Sequence, residues 1–288
     1  MYAITGVTGK VGGAMARTLL AAGRPVRAVV RDKEKARPWA ALGCEIAFAD
    51  MEDRHALAKA FSGANAVFIL PPSQFDPMPG YPEAQAAIDS IVAALKAAMP
   101  QKVLCLSTIG ADAVHDNLLS QRTMMEKALI ALGLPLTILR PAWFIENALW
   151  DVSSARDSGV IHSFLQPSDK TFPMVATRDV GRVAAELIQQ SWSGHRIVEL
   201  EGPRRLSPHD LAASFSSALG KPVRVEIVQR AGWEDLFRSQ GMRNPMPRMR
   251  MLDGFNESWI EFGDRGAKAI KGRIDADTVI ASLIGLPA

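Results

Sequence analysis

The stretch Tyr2-Ala3-Ile4-Thr5-Gly6-Val7-Thr8-Gly9-Lys10-Val11-Gly12 decides the fold class of this chain. Its start is typical of a short β-strand, and apolar residues then recur at helical spacing over 11–22. Glycines let the backbone approach a ligand, and the N–H groups of a helix start attract phosphate. The spacing is G-x-x-G-x-x-G rather than G-x-G-x-x-G, so an ordinary strand-to-helix turn is the alternative. We expect a dinucleotide to bind at Gly6, Thr8, Gly9, Lys10, Val11 and Gly12.

Short apolar runs alternate with helical patterns over the first two-thirds of the chain. Several runs are continuously apolar, as in 66–70, which is typical of parallel strands buried on both faces. Strands are predicted at 2–5, 26–30, 45–49, 66–70, 102–107 and 136–139. Helices are predicted at 11–22, 33–42, 54–61, 82–98 and 118–132. This alternation predicts an α/β fold, a Rossmann-like doubly wound parallel sheet with helices on both faces.

The last third of the chain has a looser pattern, with frequent glycine, proline and tryptophan after Pro141. We expect residues 1–149 to form the dinucleotide-binding domain, completed by part of 171–200. Residues 150–288 are expected to form a smaller α+β portion on the substrate side, with strands at 171–175 and 196–200. One helix is expected to start at Pro208 with Ser207 as its cap, and another to run to Gln189 with Asp179 as its cap.

The composition excludes several classes of protein. Of the 288 residues, 48% are hydrophobic and 22% charged, which is typical of a globular chain. Lys and Arg number 33 against 30 Asp and Glu, and a net charge of +3 gives no reason to expect a nucleic-acid partner. The longest uncharged run, 60–75, contains two prolines and is too short for a membrane span, so no membrane partner is expected.

The cysteines and histidines indicate the cellular compartment and the absence of a metal site. The two cysteines, Cys44 and Cys105, are too few for a disulfide framework, and a reduced cytoplasmic compartment is expected. Because a strand is predicted to begin at Tyr2, no signal peptide is expected. The five histidines have no metal-ligand spacing, so no metal is expected.

The residue after the second predicted strand distinguishes NADP from NAD. NAD sites place an acid there for the ribose 2′-hydroxyl, whereas this chain has Arg31, whose planar guanidinium suits a 2′-phosphate. We therefore expect NADPH to be preferred over NADH, with a solvated basic face as the alternative and neighbouring Asp32 as a complication. After the third strand, Asp50 either accepts a hydrogen bond from the adenine, with Met51 against the ring, or caps the next helix.

Together these residues resemble the short-chain dehydrogenase/reductase superfamily, specifically its atypical NmrA-like branch, over nearly the whole chain. Thr123-Met124-Met125-Glu126-Lys127 stands where the superfamily has its Tyr-x-x-x-Lys pair. Leu139-Arg140-Pro141-Ala142-Trp143-Phe144-Ile145-Glu146-Asn147 resembles the segment after strand six in this branch. The resemblance implies an NADPH-dependent reductase of quinones or of triphenylmethane and azo dyes. It equally admits a non-catalytic NADP-sensing regulator that binds a partner protein.

The catalytic tyrosine of the superfamily is missing. The chain has only Tyr2 and Tyr81, neither followed by lysine at the right spacing, and Thr123 is too weak an acid to replace it. By resemblance, Lys127 hydrogen-bonds the nicotinamide ribose, with a surface lysine as the alternative. His115 can supply a proton near neutral pH, or it is a loop histidine without a role.

Residues at two other strand ends are expected to border the cofactor, on the side where open α/β sheets bind ligands. The segment Leu70-Pro71-Pro72 after strand four forms a stiff turn beneath it. Ser107 and Thr108 at the end of strand five contact cofactor or substrate, or they cap the strand end.

The absent tyrosine favours a conjugated small-molecule acceptor, because quinones and cationic dyes take a hydride directly from a well-placed nicotinamide. A flat acceptor needs aromatic walls, which Trp143, Phe144 and Trp150 are expected to supply, with Asn147 as a polar contact; core packing is the alternative. A homodimer is compatible with the sequence. A protein partner is expected only if the chain is the NADP-sensing regulator.

The segment 242–251 interleaves four methionines with three arginines. It predicts either a lid over the substrate or a surface packed on the second portion, with its arginines solvated.

Overall fold

The computed structural model describes residues 1–286 and builds them around an eight-stranded sheet. The strands are β1 (Tyr2–Ile4), β2 (Val26–Val30), β3 (Glu45–Phe48), β4 (Ala66–Ile69), β5 (Lys102–Leu106), β6 (Leu136–Pro141), β7 (Trp143–Phe144), β8 (Val160–Ser163), β9 (Met174–Val175), β10 (His195–Glu201), β11 (Arg224–Ile227) and β12 (Ile270–Lys271).

The helices alternate with these strands as predicted. They are α1 (Lys10–Ala21), α2 (Lys33–Ala41), α3 (Arg54–Phe61), α4 (Pro82–Ala98), α5 (Ser120–Ile130), α6 (Val152–Ser158), α7 (Thr177–Gln189), α8 (Pro208–Leu219), α9 (Trp233–Ser239), α10 (Met246–Glu257) and α11 (Ala276–Leu283). The six strands and five helices predicted before residue 140 all form, and each end lies within two residues of its prediction.

The main sheet has the order β12-β10-β6-β5-β4-β1-β2-β3, and its strand pairs are parallel. Chain order reverses between β1 and β4, which creates the crevice where doubly wound sheets bind ligands. The predicted Rossmann-like fold is confirmed.

Helices cover both faces of the sheet, because its central strands are apolar on both sides. One core contains residues of α1, α2 and α7. The other contains residues of α3, α4 and α5. Cys44 and Cys105 are buried free thiols.

The C-terminal part is joined to this framework rather than separate from its core. Strands β10 and β12 extend the main sheet, and the aromatic residues Trp233, Phe237 and Phe255 belong to the same core as α1 and α7. Two small parallel pairs, β8 with β11 and β7 with β9, complete the α+β part. The division at residue 149 stays a prediction.

Two local predictions in this part were wrong. Helix α7 begins at Thr177, so Asp179 lies inside its first turn, where its carboxylate accepts the backbone N–H groups of Arg273 and Ile274. The strand predicted at 171–175 forms only over Met174–Val175. The Ser207 cap is confirmed, with Pro208 at the first helical position and Asp210 completing a capping box.

Within residues 1–286, no helix combines the length and the apolarity that crossing a bilayer requires.

Candidate dinucleotide and acceptor site

The glycine loop forms a tight cradle at the carboxyl end of β1. Gly6 has φ +65°, a left-handed conformation that suits glycine, and its carbonyl accepts the N–H of Gly9 at 2.9 Å. A Cβ on Gly12 would lie 2.3 Å from the same carbonyl oxygen, so only glycine fits there without movement. The first turn of α1 therefore packs directly on the strand end at Gly12.

The start of α1 is bare. Its N-cap is Gly9, and within residues 1–286 no side chain hydrogen-bonds to this helix end. Thr8, Gly9 and Lys10 are exposed, whereas Val11 and Gly12 are buried beneath them. Free N–H groups at a helix N-terminus attract anions, so the geometry fits a pyrophosphate.

The end of β4 is fastened to the same loop by Thr5. The buried Thr5 hydroxyl donates to the carbonyl of Phe68 at 3.0 Å and accepts the N–H of Leu70 at 2.8 Å. Leu70 lies close over Gly6, since a Cβ there would meet the Leu70 side chain at 3.1 Å. Pro71 is buried and Pro72 exposed. Contact of the Leu70-Pro71-Pro72 segment with the cofactor stays a prediction.

Arg31 stands at the other side of the cradle, with its side chain 75% exposed. The guanidinium is 3.5 Å from the carboxylate of Asp50, which is itself half exposed. Asp32 is not a rival for the ribose, because its carboxylate caps α2 by accepting the N–H groups of Glu34 and Lys35. Arg31 is therefore free to turn toward a 2′-phosphate.

The helix-cap alternative for Asp50 was wrong, because Asp53 caps α3. Among residues 1–286, the Asp50 carboxylate accepts the N–H of Glu52, at 3.1 Å, and no other hydrogen bond besides its contact with Arg31. Met51 is half-buried against the core beneath it. An adenine contact by Asp50 and Met51 stays a prediction.

The structure places Thr123 and Lys127 on α5 and His115 in the loop before it. The Thr123 hydroxyl donates to the carbonyl of Ala111 at 2.5 Å, which holds the loop after β5. Lys127 is exposed. His115 is also exposed, and its ring lies edge-on to Trp259 at 5.0 Å. The catalytic roles of Lys127 and His115 stay predictions.

A charge cluster, which sequence reasoning missed, lies between α5 and the ends of β5 and β6; its Arg140 and Glu126 are buried and its Asp112 is exposed. Arg140 donates to both carboxylate oxygens of Glu126, at 3.0 and 2.6 Å, and to Asp112 at 2.6 Å. The Ser107 hydroxyl donates to Glu126. Burial alone would lower the pKa of Arg140, but hydrogen bonds and charge from Glu126 and Asp112 raise it above its ordinary value.

This cluster changes the reading of Ser107. Ser107 is buried and its hydroxyl donates to Glu126, so this side chain fastens the end of β5 to α5. Thr108, the next residue, is more accessible and stays the candidate for a ligand contact. Arg140 belongs to the segment that carries the family resemblance, but nothing in the sequence marked Glu126 as its partner.

The four residues expected at the substrate are not gathered in one place. Trp143 is half-buried, with its ring edge-on to Phe255 at 5.2 Å, and Phe144 lies next to it in β7. Asn147 is exposed, and Trp150 is 88% exposed at the end of a 3-10 turn that spans Ile145–Asp151. Trp143 and Phe144 border the core, while Trp150 projects from the surface.

The methionine and arginine segment packs across the loop after β4. Asp76 accepts the backbone N–H groups of Arg243 and Asn244, at 3.0 and 2.7 Å. Met249 and Met251 are buried in α10. The expectation of solvated arginines was wrong for Arg248, whose guanidinium lies 4.4 Å above the Phe237 ring centre.

Within residues 1–286, His, Cys, Asp and Glu side chains form no group that could hold a metal ion.

Comparison with known proteins then settles the family. The model of the NmrA-like family matches residues 2–281. The chain belongs to the NmrA-like family. The predicted resemblance is thereby confirmed.

Two relatives of this NmrA-like chain that match over most of its length are named as reductases or oxidoreductases. Quinone oxidoreductase 2 of Escherichia coli is 27% identical over 291 residues, covering 100% of this chain and 94% of that protein. An NAD(P)H azoreductase of Xenophilus azovorans is 27% identical over 250 residues, covering 84% of this chain and 82% of the relative.

Solved structures agree with the fold. The Escherichia coli NADPH-dependent quinone oxidoreductase, complexed with NADPH, is 25% identical with a TM-score of 0.73, over 100% of this chain and 95% of that one. The triphenylmethane reductase of Citrobacter, complexed with NADP(H), has a TM-score of 0.80 at 20% identity, over 98% of this chain and 99% of that one. At that identity the second match shows a shared fold.

Proposed function

We propose that this NmrA-like protein is an NADPH-dependent oxidoreductase that transfers a hydride to a quinone or a similarly conjugated small molecule. The chain is an NAD(P)H-dependent reductase that binds NADP(H), like the quinone oxidoreductase and azoreductase it resembles. The acceptor and the preference for NADPH over NADH are what the proposal adds.

The observation that carries the proposal is the cradle at the bare start of α1, which a Cβ at Gly12 would fill. It lies at the point where strand order reverses, as a dinucleotide site requires. Gly6, Gly9 and Lys10 would hold the pyrophosphate, and Arg31 the 2′-phosphate. Bound NADPH supplies the hydride; the chain binds and orients it and limits access of water.

The two tyrosines of the chain support an acceptor that needs no strong protein acid. Tyr2 lies in β1. The Tyr81 hydroxyl is within 3.0 Å of the Asp116 carboxylate and 2.9 Å of the Asn117 carbonyl, and burial together with Asp116 raises its pKa well above its ordinary value. Thr123 is committed to Ala111. A quinone suits this arrangement, because its reduction draws its proton from solvent or a weak donor such as His115.

The test follows the nicotinamide absorbance of NADPH, with NADH in parallel, in the presence of unsubstituted quinones, a triphenylmethane dye and an azo dye. We expect protein-dependent oxidation of NADPH by at least one conjugated acceptor, at higher kcat/KM than with NADH.

Tight NADPH binding without oxidation by any acceptor would contradict the proposal and favour the NADP-sensing regulator. The partner protein, a homodimer and a cytoplasmic location stay predictions.

A further inference from the structure

We propose that an apolar rim beside the cofactor crevice binds an apolar substituent of the acceptor, so that the substrate joins a flat redox ring to a hydrocarbon group. The rim consists of Phe75, Met78, Val114 and Met246. This inference rests on the proposed function and names its substrate class.

The four rim side chains are unusually exposed for their size. Phe75 is 66% exposed, Met78 50%, Val114 86% and Met246 46%. Isolated exposed apolar residues are common, but several that come together mark a binding surface. These four belong to three separate segments of the chain, 75–78, 114–118 and 243–247, which hydrogen bonds link to one another.

Hydrogen bonds hold the three segments together. Asp76, between Phe75 and Met78, accepts the N–H groups of Arg243 and Asn244, two residues before Met246. The carbonyl of Pro247, next to Met246, accepts the N–H of Leu118 in the loop that carries Val114. The rim is therefore one surface built from loops that no sequence pattern connects.

The rim lies at the ligand end of the sheet. Its first segment follows β4 and its second follows β5, and both leave the carboxyl ends of strands next to the crevice. Arg122 on α5 fastens the first segment by donating to the Pro72 carbonyl at 3.3 Å and to the Ser73 hydroxyl at 2.5 Å. A ring held over the crevice would place its substituent against these loops.

Charge argues against a membrane surface as the occupant of the rim, and size argues against a second copy of the chain. The rim segments and their neighbours carry both acids, Asp76 and Asp116, and arginines, Arg243 and Arg250, whereas attraction to an anionic membrane surface needs a cluster of basic residues. A stable contact with a second copy needs about 800 Å² on each partner, which four side chains do not supply. A single hydrocarbon group matches the rim in size.

The experiment compares two benzoquinones that share one ring, a methyl and a decyl derivative. With wild-type protein and NADPH we expect KM for the decyl compound to be about tenfold lower, since each buried methylene strengthens binding. In the double variant Phe75→Ser/Met78→Ser this advantage should fall to about twofold or less. KM for NADPH and for the methyl compound should stay unchanged.

Met99→Ser is the matched control, because Met99 is 67% exposed but lies just before β5, at the opposite end of that strand from the crevice. It should keep the full advantage of the decyl compound. The advantage is also measured without turnover, as the ratio of Kd values from quenching of tryptophan fluorescence.

Equal affinity for the two quinones in the wild type would overturn the proposal, and so would an unchanged advantage in the double variant. Rim-dependent cosedimentation with phosphatidylcholine vesicles would overturn it in favour of a membrane surface, and rim-dependent dimerisation in favour of a second copy. If neither quinone is reduced but the decyl compound still binds better through the rim, the proposed function fails and the rim assignment survives.

Discussion

At the carboxyl end of β1 the candidate site is built from backbone, whereas at the ends of β5 and β6 it is built from charged side chains. The first region is Gly6, Gly9 and Gly12 at an uncapped helix start. The second is Arg140 bound to Glu126 and Asp112, with Ser107 on the same carboxylate. The first region offers backbone N–H groups to an anion, whereas in the second the charge of Arg140 is paired with those of Glu126 and Asp112.

This difference separates recognition from support. Backbone N–H groups at an uncapped helix start can bind an anion, so we propose that the cradle binds the pyrophosphate directly. The buried, bidentate ion pair of Arg140 and Glu126 already has its hydrogen-bonding groups paired. We therefore expect it to hold α5 against the ends of β5 and β6 beneath the ligand, rather than to bind the ligand itself. Substitutions in the first region should therefore weaken cofactor binding most, and substitutions in the second region should lower the free energy of unfolding most.

The sharpest test of the backbone region is Gly12→Ala. The new Cβ would lie 2.3 Å from the Gly6 carbonyl oxygen, so the loop or the helix must move. We expect NADPH affinity to fall by about a thousandfold or more, and unfolding free energy to fall by about 1–3 kcal/mol from overpacking. Isothermal titration calorimetry and urea unfolding measure the two effects.

Two variants separate binding from folding. Gly232→Ala is the control, because its Cβ would meet nothing within 4 Å, and it should change neither quantity. A Cβ at Gly9 would lie 3.3 Å from the Gly6 carbonyl oxygen, against 2.3 Å for one at Gly12, so Gly9→Val should cost less stability than Gly12→Ala and still lose NADPH. Normal NADPH affinity in Gly9→Val would remove the phosphate assignment.

The side-chain region is tested by Glu126→Gln. Removing one charge leaves Arg140 buried beside Asp112 alone, and breaking such a pair costs about 3 kcal/mol of unfolding free energy. Glu234→Gln breaks an exposed pair with Arg238 and should cost about 0.5 kcal/mol or less. Equal losses in urea unfolding would show that the buried cluster is not a support.

The cofactor preference is tested by Arg31→Glu. Loss of the guanidinium and repulsion by the new carboxylate should weaken NADPH by about tenfold to a hundredfold while leaving NADH nearly unchanged. Arg37→Glu is matched in charge and exposure, at 76% against 75%, and should leave the NADPH-to-NADH ratio unaltered. Equal losses for both nucleotides in Arg31→Glu would remove the 2′-phosphate assignment.

The smallest expected effect concerns the contact between the loop after β4 and α10. The backbone N–H groups of Arg243 and Asn244 lower the pKa of Asp76 below its ordinary value, so this contact stabilises the fold when the carboxylate is charged. That contribution is full above the unfolded pKa of about 3.9 and is lost as pH falls through the lowered folded value.

We therefore expect Asp76→Asn to cost about 1 kcal/mol or less at neutral pH, because the side chain is partly open to solvent. The difference from wild type should shrink below about pH 4. Urea unfolding over a pH series measures it, and a difference that grows toward acid would reverse the sign assigned to this group.

Sequence reasoning reached the backbone region because all its determinants are neighbours in the chain. A strand, three glycines and a helix start fall within the first dozen residues, and the predicted strand ends agree with the structure within two residues. Arg31 was found for the same reason, since it directly follows β2.

The side-chain region escaped it because its partners are distant in sequence. Glu126 lies 14 residues from Arg140 and 19 from Ser107, and no spacing rule connects them. The same holds for Asp76 and Asn244, which are 168 residues apart. Asp179 misled for a related reason: an acid near a helix start usually caps it, but here the backbone of Arg273 and Ile274 claims the carboxylate.

The central claim is hydride transfer from NADPH to a conjugated acceptor, and a single-turnover experiment tests it most directly. Protein saturated with NADPH is mixed with one decyl benzoquinone, and oxidised nicotinamide and hydroquinone are quantified together. We predict that they form one for one, that NADPH deuterated at the transferred position slows their formation, and that Gly9→Val forms neither. Bound NADPH that stays reduced beside bound quinone would contradict the account.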